Sequence, residues 1–132
     1  MRLFHRFAVL ATVGLLVGCA GGLPPGGVAA LDGVYEGDMT RSGGHPTRCP
    51  ARYTLRIAIA GGEARGEVFD PQQPGVPADR FMAFVEADGR IVSAIRVGSQ
   101  NFGIQGRFGT NAFTALVEGP TCAMSAYAAR RP

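Results

Sequence analysis

The chain has 132 residues, with 20 Gly, 9 Pro, no Trp, and 13 cationic side chains, all Arg, against 10 carboxylates. That length suits a single domain, and a hydrophobic content of 46% excludes intrinsic disorder. Two His and three Cys leave little from which to build a multi-ligand metal or redox centre, so no cofactor is expected.

The N-terminal stretch carries Arg2 and Arg6, then an uncharged run from Phe7 to Val17, then Gly18 and Cys19, which is the layout of an export signal. A permanent membrane helix needs roughly 20 apolar residues, and Ala20-Gly21-Gly22 followed by Pro24-Pro25 ends the run too soon. Leu16-Val17-Gly18-Cys19 resembles the lipobox of bacterial lipoproteins. The resemblance implies that residues 1–18 are cut away and that Cys19 becomes an acylated N-terminus, anchored by several chains where one would hold only marginally. Ala20 stands where lipoproteins kept in the inner membrane carry Asp, which implies the outer membrane and a domain facing the periplasm. Loss of Arg2 and Arg6 leaves 13 − 2 = 11 Arg against 10 carboxylates, so a nucleic-acid partner loses its electrostatic support.

Residues 19–30 then read as a lipidated Cys and a mobile Gly/Pro tether, and residues 31–132 as the folded domain. No helical stripe appears in that domain. Short apolar runs separated by turn residues predict eight strands, near 33–40, 51–60, 64–70, 80–87, 90–97, 101–108, 112–118 and 121–128. The second alternates most clearly, with Tyr53, Leu55, Ile57 and Ile59 on one face and Thr54, Arg56 and Ala58 on the other. Gly61-Gly62, Asp88-Gly89 and Gly109-Thr110-Asn111 supply turn chemistry for hairpins, which predicts that sequential strands pair antiparallel. Longer connections are expected at 41–50 and at 71–79, where three Pro forbid a strand.

Once Cys19 is taken by lipid, Cys49 and Cys122 remain, and in an exported domain they read as one disulfide. An antiparallel meander brings both to the same end if the first and last strands adjoin. The expected fold is therefore an all-β, eight-stranded antiparallel barrel, closed or nearly so, with a two-sheet sandwich as the alternative. Leu31-Asp32-Gly33-Val34-Tyr35 resembles the Gly-x-Trp opening of lipocalin and avidin-type barrels, with Tyr35 in the Trp position. The opening Asp32-Gly33-Val34-Tyr35-Glu36-Gly37, with Gly106-Arg107-Phe108 and the late cysteine, is similar to small exported bacterial domains of unassigned function.

Chemistry is sparse. Glu36 and Asp38 share a strand face, but such spacing is also what a solvated outer face shows, and His45 is the single mature His, without a Ser nucleophile motif beside it. A zinc site at His45 and Cys49 lacks further ligands, so no metal and no catalysis are expected. The 41–50 loop, with Arg41, His45 and Arg48 stiffened by Cys49, is the candidate recognition element for an envelope protein or an anionic envelope component. Tyr53, Phe81, Ile104, Phe108 and Phe113 are the candidate lining of the interior, which in an eight-stranded barrel is either filled or holds one small ligand. Arg130 and Arg131 read as a solvated basic end. Two other functions stand beside a binding module: a lysozyme-type hydrolase inhibitor, a class that includes small lipid-anchored barrels but whose C-terminal loop motif is missing here, and a lipocalin-like carrier of an apolar ligand.

Overall fold

The computed structural model describes Leu23 and residues 26–132. The signal segment and Cys19 lie outside the described residues. Eight strands follow a short 3-10 helix at Gly27–Leu31: β1 Gly33–Gly44, β2 Arg52–Ala60, β3 Glu63–Phe69, β4 Asp79–Phe84, β5 Arg90–Val97, β6 Gln100–Phe108, β7 Ala112–Glu118 and β8 Cys122–Arg130. They form one antiparallel sheet in the order β4-β3-β2-β1-β8-β7-β6-β5. The sandwich alternative is thereby set aside. β1 lies at the centre, paired with β2 on one side and β8 on the other, so the first and last strands do adjoin.

The two ends of the sheet, β4 and β5, come together without a backbone ladder, and this corrects the expectation that all sequential strands pair. Their turn is made, with Glu86 N–H donating to Arg90 O at 2.9 Å and Gly89 N–H to Glu86 O at 2.8 Å. Beyond it the strands splay, and side chains take over the polar groups of the edge. Ser93 Oγ donates to Met82 O at 3.0 Å, and the Asp79 carboxylate accepts from Arg96 N–H. Seven ladders and one side-chain seam thus make a nearly closed barrel, with the β4 and β5 edges bridged by these side chains.

The period-two pattern decides which side chains go inward. Tyr53, Leu55, Ile57 and Ile59 of β2, Phe102, Ile104 and Phe108 of β6, and Phe113, Ala115 and Val117 of β7 are all buried. The largest of them pack in the middle, Tyr35 edge-on to Phe108 at 5.1 Å between ring centroids and Phe108 against Phe113 at 4.5 Å. Inward glycines make room for rings. A Cβ at Gly66 would stand 2.0 Å from Phe81 Cε1, and one at Gly106 would stand 2.4 Å from Phe113 Cε2, so the missing side chains are replaced by aromatic faces from the neighbouring strand.

One end of the barrel is plugged by the 3-10 helix. Leu31 is fully buried, its carbonyl accepts from the Tyr35 hydroxyl at 3.0 Å, and Arg130 donates to Ala30 O at 3.0 Å and to Asp32 O. Leu23 and Val28 pack against the core as well. Ordered structure therefore reaches back into the segment expected to be a mobile tether. Of the two C-terminal arginines, Arg130 clamps this plug instead of ending in solvent, while Arg131 is exposed and pairs with Glu36.

Candidate functional site

The end opposite the plug gathers the β1–β2 loop, the β5–β6 turn and the β7–β8 turn. β1 runs four residues further than the alternation predicts, because Arg41 to Gly44 keep pairing with β8 after the pairing with β2 has ended, across an irregularity between Arg41 and Gly43. The chain then turns tightly, with Arg48 N–H and Cys49 N–H both donating to His45 O at 2.9 and 3.0 Å. Cys49 and Cys122 form a disulfide with a Cα–Cα distance of 5.2 Å, buried under the loop. Gln100 adds a polar strut, its Nε2 donating to Arg48 O at 2.9 Å while its Oε1 accepts from Thr121 Oγ1 at 2.8 Å. Three loops are thus locked to one another.

The three candidate recognition residues do different things. Arg41 is structural, with Nη1 donating to Cys49 O at 2.9 Å. His45 shapes the turn, its Nδ1 standing 2.8 Å from Thr47 Oγ1 and 3.3 Å from the Thr47 N–H that points at it. Arg48 is exposed, and its guanidinium has no hydrogen-bond or carboxylate partner among the described residues. That matters because most of the other arginines are matched. Arg52 pairs with Asp38, Arg56 and Arg131 with Glu36, Arg65 with Glu63, Arg80 with Glu67, and Arg90 and Arg107 with Asp88. Glu36 and Asp38 are therefore the carboxylates of an outer ion-pair row.

Beneath Arg48 opens a cleft of about 550 Å³, with Pro50 and Pro120 on its walls and Tyr53, Val97 and Phe102 among its apolar lining. A second hollow of about 440 Å³ is bounded by His45, Thr47, Arg48 and Thr121, so Arg48 stands between the two. The first falls within the usual size of small-molecule and side-chain sites. Burial, with a smaller contribution from the nearby Asp70 carboxylate, raises the Tyr53 hydroxyl above the ordinary tyrosine range, so this phenol is neutral at physiological pH. The arrangement offers a guanidinium in a cleft of mixed lining, with Thr47, Ser99, Gln100 and Thr121 beside the apolar side chains, which suits an anionic group on a stem with both polar and apolar atoms. A larger hollow, about 710 Å³, lies on the outer wall beside Val92, Gln105 and Leu116, away from the loops.

Val97, Gln100, Phe102 and Pro120 are the site residues that sequence reasoning passes over. Nothing local marks them. The only signal was the pairing of Cys122 with Cys49, which brings the start of β8 to the loop. Phe81, Ile104, Phe108 and Phe113 are buried in the core, while Tyr53 is buried as well and also lines the cleft. No family model, no curated protein and no solved structure matches this chain.

Proposed function

We propose that the chain is an outer-membrane lipoprotein, anchored through acylated Cys19, whose periplasmic barrel is a non-enzymatic binding module for an anionic group on an envelope protein or other envelope component. The observation that carries this reading is Arg48, an unmatched cation lining a cleft, on a surface where most arginines are neutralised by a neighbouring carboxylate. The disulfide and the Gln100 strut hold the cleft in shape, so little ordering entropy is lost on binding. The site lies at the end of the barrel away from Leu23, on the side that an N-terminal anchor leaves free. The concavity of this end favours receiving a partner's group over plugging an enzyme's cleft, and the packed interior favours a surface site over an apolar cargo within.

The test is photocrosslinking in the living envelope from a reactive side chain placed at Ser99, beside the cleft, and at Ala58 on the ion-paired wall. Ser99 is expected to give a discrete adduct that Arg48→Ala abolishes and Arg96→Ala leaves. Identical adducts from both positions, or an adduct indifferent to Arg48→Ala, would overturn the assignment.

A further inference from the structure

The outer wall has two unlike halves. Across β1, β2, β3 and the start of β4 the outward side chains form the ion pairs Asp38–Arg52, Glu36–Arg56 and Glu67–Arg80. Across β4, β5, β7 and β8 they include exposed Met82, Phe84, Val92, Leu116 and Tyr127. Phe84 and Val92 are the most exposed of these, at 70% and 71%. The Glu86 N–H to Arg90 O bond closes the β4–β5 turn, and Phe84 and Val92, each two residues beyond it, both face outward on its two flanks.

Charge does not mask this patch. Around the turn Glu86, Asp88, Arg90 and Arg107 cancel among themselves, with Arg90 Nε 3.6 Å from Glu86 and 2.6 Å from Asp88, and Arg107 Nη2 3.8 Å from Asp88. What sits on such a surface must be drawn to it by apolar contact.

The path of the chain says what that is. A Cβ at Gly89, the tip of this same turn, would stand 3.0 Å from Leu23 Cδ2, so the polypeptide arrives at the barrel at the turn whose flanks carry Phe84 and Val92. Only four peptide units separate Leu23 from Cys19, a span of at most about 14 Å whatever conformation they take. If acyl chains on Cys19 lie in a bilayer, the β4–β5 turn is held at its surface. Resting on the lipoprotein reading, we propose that the Phe84–Val92 patch docks into the lipid surface that holds the anchor, fixing the barrel with its plugged end down and the Arg48 cleft facing outward. The occupant is the bilayer's interfacial region, where amphipathic elements bury apolar side chains beside polar headgroups. Because the turn is neutral, docking is expected to be indifferent to anionic lipid and to salt.

The chain has no Trp, so an introduced one is a unique reporter. Full-length Phe84→Trp and Ala58→Trp proteins, extracted from a bacterial host and weighed intact, are reconstituted into phosphatidylcholine vesicles with and without brominated acyl chains. The Phe84→Trp emission is expected to shift blue and to lose most of its intensity to bromine, equally with added phosphatidylglycerol or raised salt, while Ala58→Trp stays unquenched. An acylated protein whose Phe84→Trp emission ignores bromine would overturn the docking and leave the anchor standing. A mass without acyl chains would overturn both, since the 14 Å restraint rests on them. A blue shift that needs no lipid, in a protein of dimer size, would assign the patch to a second copy and overturn the proposal.

Discussion

Gly66→Ala probes how tightly the interior of the barrel is packed. Gly66 lies opposite Phe81 in the β3–β4 ladder, and a new Cβ would stand 2.0 Å from Cε1 and 2.1 Å from Cζ of that ring. Contacts this short are not tolerated, and Phe81 is itself buried, so the ring must leave its place. On an open strand, replacing Gly by Ala gains about 0.5–1 kcal/mol by restricting the unfolded chain. Overpacking a close-packed site costs about 1–3 kcal/mol. At mid-range values the clash wins, and the net loss is about 1 kcal/mol, or roughly 4–8 °C in the unfolding midpoint of a domain this size. Phe81→Leu removes the ring and costs stability through lost packing. In the double variant the smaller side chain admits the new methyl group, so its loss is expected to fall short of the sum of the single losses by about 1 kcal/mol or more. Chemical denaturation of the four proteins with the disulfide intact measures the cycle. A Gly66→Ala protein as stable as its parent, or strictly additive losses, would refute the seating of Phe81 on Gly66 and reopen the interior to a cargo.

Burial raises the pKa of Tyr35, an effect that Arg130 opposes and Asp32 adds to, and burial likewise raises that of Tyr53. The native state then holds protons that the unfolded chain releases near pH 10, so stability is complete below about pH 10 and falls as the pH climbs through the folded values. Thermal melts between about pH 9 and 11 should show this decline, and it should be shallower in Tyr35→Phe and Tyr53→Phe. At neutral pH Tyr35→Phe is expected to lose about 1–3 kcal/mol, since the buried Leu31 carbonyl forfeits its 3.0 Å hydrogen bond; an unchanged midpoint would show the plug to be held by other contacts. Reducing the Cys49–Cys122 bridge, which spans 73 residues of sequence, should cost about 2–4 kcal/mol and speed amide exchange at Arg48 and Cys49. Exchange and midpoint both insensitive to reductant would show that the Gln100 strut alone keeps the loops together.

Much of the architecture was legible because strand burial has a period of two. Tyr53 to Ile59 and Phe102 to Phe108 announce their inward faces residue by residue, and these are the faces that are buried. The pairing of Cys49 with Cys122 was legible too, and it carried the adjacency of β1 and β8 with it. Other features left no local trace. Arg41 and Arg48 are the same residue type in the same loop, yet one binds a backbone carbonyl and the other has no partner, a difference set by where Cys49 O and the neighbouring turns lie in space. Val97, Phe102 and Pro120 became cleft walls for the same reason.

The sequence by itself determined the all-β class, the eight strands, their inward faces and the disulfide, because each follows from alternation, turn residues or the count of cysteines. Only the tertiary structure decided where the sheet fails to close, between β4 and β5, and which cations remain unmatched. Both depend on register and curvature summed around the whole barrel, and a one-residue change in register anywhere on that circuit would move the seam, the ion pairs and the cleft together.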